Sequence, residues 1–169
     1  MSGGISNYSF GNTPSDDAKK LQWVKIKDGD KTLLICDRVI LVNVTWNDLN
    51  SAGWIFGKEV TIDGAKYKCR SLTGNYRGGD AYAGGTPTNN EWDRFVTREE
   101  VITGLPAPVS SDLDSSFNST DLSSAHNQLW NWVGVYTWCQ ETYSSNTSHR
   151  AFRGCISARN WYYDNAAYS

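Results

Sequence analysis

Methionine, histidine and long apolar runs are scarce in this 169-residue sequence, which has one Met, two His and nothing near the ~20 consecutive apolar residues of a membrane helix. Membrane insertion is therefore not expected. Charge of either sign is also in short supply: 16 Lys and Arg face 18 Asp and Glu, a formal net charge of −2. From Glu99 to His149 there is no Lys or Arg at all. A nucleic-acid binder releases counterions through a basic stripe, and none is present, so no nucleic-acid partner is expected. The opening residues lack the basic and apolar regions of a secretory leader, so no secretion signal is expected.

Catalytic and metal-binding spacings are missing as well. Cys36, Cys69, Cys139 and Cys155 are too far apart for a zinc knuckle or a redox CxxC, and they read as buried thiols rather than disulfides. Gly78-Gly79 and Gly84-Gly85 lack the Lys-Ser/Thr of a phosphate cradle, so they read as loop. His126 or His149 beside a cysteine would make a nucleophilic pair, yet nothing in the order of residues joins them; a structural or loop histidine is the favoured reading. Asp112, Asp114 and Asp121 supply oxygen ligands for a hard cation without the Gly and closing Glu of a regular calcium loop, and they read as a solvated acidic turn. No catalytic residue, metal or cofactor is assigned.

Aromatic residues are plentiful: eight Trp, nine Tyr and five Phe. The length supports one core-bearing domain. Residues 1–18, rich in Gly, Ser and Asn, read as a flexible leader, and residues 19–169 as a single domain. Apolar alternation from Leu21, an Asp28-Gly29-Asp30 turn and the apolar stretch Thr32 to Val44 predict a hairpin. Thr45-Trp46-Asn47-Asp48, closed by Gly53, predicts a short helix. Asp63-Gly64 between Glu59–Ile62 and Ala65–Leu72 predicts a second hairpin. A second short helix is expected near 90–98, and ordered loops over 74–90 and 104–124. Segments 127–140 and 150–163 read as strands, with Trp130, Trp132 and Trp138 in the core and their indole N–H groups hydrogen-bonded. The fold class is α+β: short antiparallel strands, two short helices and extensive ordered loops.

The C-terminal stretch interleaves rings with short polar groups, the composition of an adaptable recognition surface. Strand alternation predicts that Asn160, Tyr162 and Asp164 share an outward face while Trp161 and Tyr163 turn inward. A turn after Asp164-Asn165 would bring Tyr168 back over that face.

The run His126-Asn127-Gln128-Leu129-Trp130-Asn131-Trp132, then Trp138-Cys139-Gln140-Glu141, then Arg150 to Tyr163 resembles proteins of Gram-positive phages and prophages. These have a C-type-lectin fold in its formylglycine-generating-enzyme-like form, the form of the variable receptor-binding proteins of diversity-generating retroelements. The resemblance covers roughly residues 20–169. It implies a tail or prophage protein that binds a host-surface protein or glycan, alongside other virion proteins. It also implies ligand contacts at Asn160, Tyr162, Tyr163, Asp164, Asn165 and Tyr168, which match the Asn, Tyr and Asp composition of the family's variable positions. Two departures stand out: the apolar closing strand that usually follows is missing after Ser169, and none of the four cysteines maps onto the reactive cysteines of the family's enzymes. The Glu-Pro-Asn calcium signature of sugar-binding animal lectins is absent too. The alternatives are an oxidoreductase-like enzyme of the formylglycine-generating type and a structural virion module without a ligand.

Overall fold

The computed structural model describes residues 5, 8–74, 90–109, 113, 129–143 and 145–169. The Gly pairs at 78–79 and 84–85, Asp112, Asp114, Asp121 and the His126-Asn127-Gln128 segment lie outside the described residues.

Among the described residues, three small antiparallel sheets carry the architecture. Strands β1 (Trp23–Asp28) and β2 (Lys31–Cys36) form the first hairpin, with Gly29 at φ +57° in its turn. The apolar stretch was expected to continue to Val44. Instead β2 ends at Cys36, because the next residue, Asp37, turns its buried carboxylate onto Arg38 and Asn131. Helix α1 (Trp46–Ser51) forms where its capping signals lie: Thr45 Oγ1 accepts from the Asp48 N–H at 3.0 Å, and Gly53 follows at φ +83°. In the second hairpin, β3 (Lys58–Ile62) and β4 (Ala65–Cys69) are joined by Asp63 (φ +51°) and Gly64 (φ +79°). Positive φ at both turn residues is the geometry that matches strand twist.

The expected helix near residue 90 is a five-residue π-turn, Trp92–Val96, closed by Thr97 N–H on the Trp92 carbonyl at 3.1 Å. Asn90 starts it by accepting from the Asp93 N–H at 2.8 Å. The widened turn buries Trp92, Asp93, Phe95 and Val96 together, more than one stripe of a regular helix would cover.

Strands β5 (Tyr136–Thr142), β6 (His149–Gly154) and β7 (Trp161–Asn165) make the third sheet in the order β5-β6-β7. The stretch 150–163 is thus two antiparallel strands and not one. Gly154 (φ +85°) and Cys155 (φ +74°) reverse the chain between them. A Cβ on Gly154 would meet the Trp132 side chain and Trp92 Cη2, both at 3.3 Å, so only glycine fits this reversal closely.

The main core joins Ile26 and Ile35 of the first hairpin to Trp92, Phe95, Trp130, Trp132 and Val133. Both Trp130 and Trp132 are buried, as expected. The indoles of Trp46, Trp92 and Trp138 donate to the carbonyls of Cys139, Ala158 and Val44. Trp130 departs from that expectation: its buried Nε1 has no hydrogen-bond partner among the described residues.

The segment read as a flexible leader makes contacts that a free arm would lack. Tyr8 and Phe10 pack edge-on against Trp54 at 5.7 and 5.8 Å, and Phe10 also reaches Trp23 at 6.1 Å. Asn12 and Thr13 bind Asp63 in the second hairpin turn. Residues 8–13 thereby link the first hairpin, through the Phe10 ring on Trp23, to the turn of the second, through Asn12 and Thr13 on Asp63, a long-range packing that a Gly- and Ser-rich composition does not announce.

Candidate functional site

Pairing within the third sheet decides which C-terminal residues share a face. Trp138 pairs with Phe152 and Phe152 with Tyr162, while Arg150 pairs with Asp164. Since alternate residues point the same way, Tyr136, Trp138, Arg150, Phe152, Tyr162 and Asp164 belong to one face. The other face carries Cys139, Ala151, Arg153 and Trp161, all buried.

On the outward face the rings form a continuous row. Phe152 is buried between Tyr136, at 4.2 Å between centroids, and Tyr162, at 5.7 Å. The flanking tyrosines stay open to solvent, Tyr136 at 41% and Tyr162 at 43% exposure. Arg150 crosses the ring of Trp46 at 4.2 Å, next to its strand partner Asp164.

The chain turns after β7 as expected. Asn165 Oδ1 accepts from the Ala167 N–H, and the Tyr168 N–H donates to the Asn165 carbonyl, leaving Tyr168 exposed. Asp164 is half-buried and uses Oδ1 on the Asn165 N–H at 2.7 Å. Trp161 points inward, as alternation requires. Tyr163 is half-buried and stacks on Tyr143 with centroids 3.9 Å apart and planes at 7°.

Asn160 overturns its expectation. It is 2% exposed and lies in the reversal before β7, where its carbonyl accepts from Gly154 N–H and from Arg153 Nε. Strand alternation does not extend to a residue outside the strand, so sharing parity with Tyr162 does not bring Asn160 to the surface.

Behind the sheet lies a charged cluster that the sequence reading missed. Arg153, fully buried, places Nη2 2.6 Å from Asp93 Oδ1 and donates to the carbonyls of Gly74 and Asn160. Glu141 accepts from the Gly74 N–H at 2.9 Å. Gly74 is thereby held at both its N–H and its C=O, and a Cβ there would lie 2.2 Å from Cys139 Sγ. Asp93, two residues after the Asn90-Glu91 start of the π-turn, was the one visible signal; its partner 60 residues away was not.

Burial pushes the Glu141 carboxyl above its ordinary value, more than the Gly74 hydrogen bond lowers it. The folded state thus holds the proton more tightly than the unfolded chain. Stability from this group is present below the unfolded pKa of about 4.3 and is lost as pH rises through the raised folded value. Glu141→Gln keeps an acceptor for Gly74 and removes the buried charge. Its melting temperature relative to the parent is expected to be higher at pH 8 than at pH 4; a pH-independent difference would contradict this assignment.

All four cysteines are free, and burial is the leading influence that pushes each thiol upward, furthest at Cys139. His149 contacts Ser148 Oγ at 3.2 Å and the Tyr163 ring, while His126 lies outside the described residues. Among the described residues no group of three or more His, Cys, Asp or Glu is placed to hold a metal ion. No described helix is long and apolar enough to cross a membrane.

An open cleft of about 450 Å³ lies beside β4 and β5. Arg70 and Glu91 form a bidentate pair on its wall, closing at 2.6 Å through Nη1, and Glu91 also accepts from the Thr73 N–H. No family model, curated protein or solved structure matches the chain.

Proposed function

We propose that this chain is a ligand-binding protein of a phage or prophage, built on a C-type-lectin-like fold, that presents the outer face of β5-β6-β7 to a host-surface protein or glycan. The observation that carries the reading is the Tyr136–Phe152–Tyr162 row: two open tyrosines fixed on a buried phenylalanine, with Asp164 and Tyr168 nearby in the chain. Rings held in place by a sheet lose little conformational freedom on binding, and their hydroxyls supply polar contacts at the rim. The contact set proposed is Tyr136, Tyr162, Asp164 and Tyr168; Tyr163 and Asn165 are left out because alternation turns them to the opposite face of β7, where Tyr163 packs with Ala151 and Trp161. Asn160 leaves the set because it is buried.

Alanine at Tyr136, Tyr162, Asp164 and Tyr168 together tests the reading. Adsorption to host cells is expected to fall, with stability changed by about 0.5 kcal/mol or less for each exposed position. Adsorption equal to the parent's, with the variant folded, would remove the face from the function.

A further inference from the structure

The cleft of about 450 Å³ beside Gln140 is separate from the tyrosine row, and its charges are unequally spent. Arg70 is occupied by Glu91, and Arg94 by Asp28 at 2.8 Å and Glu100 at 2.9 Å. Lys68, which also lines the cleft, has no carboxylate at ion-pair distance among the described residues. With Glu59, the cross-strand partner of Lys68, counted beside Glu91, Asp28 and Glu100, four acids stand against the two arginines and this lysine, so the neighbourhood has no surplus positive charge while the one ammonium makes no ion pair among the described residues. Such a site matches one negative charge on a ligand better than two.

The lysine is also positioned. Its stem runs over Gly57, where an added Cβ would sit 2.0 Å from Lys68 Cε, so the glycine makes room for it. The adjacent Phe56 is 56% exposed and is braced edge-on by Trp46 at 6.1 Å. An open flat ring beside a free ammonium suits a ligand with an apolar ring face and one acid group. Polar groups complete the lining: Gln140 donates Nε2 to the Ser71 carbonyl at 2.7 Å, leaving its amide oxygen as an acceptor. Thr73 Oγ1 accepts from the Glu91 N–H at 2.8 Å and can still donate its own proton.

We propose that this cleft is a binding site for a monocarboxylated sugar of the uronic-acid class. The carboxylate pairs with Lys68, the sugar ring lies on Phe56, and its hydroxyls meet Gln140 and Thr73. The inference does not depend on the tyrosine row.

The test is an NMR titration of the full chain with D-glucuronate, D-glucose and inorganic phosphate, followed on the parent and on Lys68→Gln, Lys68→Arg, Phe56→Ser and Tyr162→Ala. Glucuronate is expected to bind about tenfold more tightly than glucose, the size of one charge-assisted hydrogen bond. Lys68→Gln should reduce glucuronate to the level of glucose and Lys68→Arg should retain most of the difference. Phe56→Ser should weaken both sugars, and Tyr162→Ala should change neither. Both cleft positions are exposed, so these variants are expected to fold. Equal binding of the two sugars, an unaffected Lys68→Gln variant, or no saturation at about 10 mM would overturn the proposal. Phosphate binding as tightly as glucuronate would mark a simple anion site and also overturn it. Loss of the sugar response in Tyr162→Ala would move sugar binding to the tyrosine row, ending this proposal while supporting the other.

Discussion

Arg153→Met is expected to destabilise the protein by about 3–5 kcal/mol, the usual cost of removing one partner from a buried ion pair. The guanidinium is fully buried, lies 2.6 Å from the equally enclosed Asp93 and carries hydrogen bonds to the carbonyls of Asn160 and Gly74. Methionine fills much of the volume but leaves the Asp93 carboxylate without its counter-charge. The double variant Arg153→Met/Asp93→Asn should recover part of the loss, since the amide needs no counter-ion and still reaches Asn90. Urea denaturation of the parent, single and double variants measures both effects. A single variant within about 1 kcal/mol of the parent would mean that water reaches the cluster and that Arg153 does not hold the Gly74 and Asn160 segments together.

Trp132→Ala carries the second large effect, also about 3–5 kcal/mol, through loss of transfer energy and the cavity left behind. Trp132 sits in the main core and forms the wall against which the β6–β7 reversal closes. Its carbonyl accepts from the Cys155 N–H at 2.9 Å, and its side chain is where a Cβ on Gly154 would collide. The cavity therefore opens beneath the turn that starts β7. Thermal melting should show the loss, and near-ultraviolet dichroism should show loosened ring packing. An unchanged melting temperature would place the indole at the surface and contradict the packing. Tyr162→Ala, on the open side of the same sheet, provides the contrast: a small stability change is expected there.

The sequence alone was enough for elements whose signals are local. Thr45 capping Asp48, Gly53 ending α1, and Asp63-Gly64 turning the second hairpin each act within a few residues, and all three sit where their chemistry calls for them. The inward turn of Trp161 and the outward turn of Tyr162 also follow from strand alternation. Alternation failed at Asn160, and strand propensity failed for the chain after Cys36 and through 155–160, because a reversal or a buried carboxylate there is fixed by distant partners.

Charge was the least legible property. Sequence order shows Asp93, Glu141 and Arg153 as three unremarkable charged residues; only the fold brings them around Gly74, with the pairs separated by 60 to 79 positions. The same holds for Tyr8 and Phe10, whose polar surroundings suggested an arm and whose rings close against Trp54 and Trp23. Turns, caps and strand faces were determined by the sequence itself, since their energies depend on neighbours along the chain. Which charges are buried, which rings stay open and where the cleft lies were decided by tertiary structure, since burial depends on whatever distant segment packs on top.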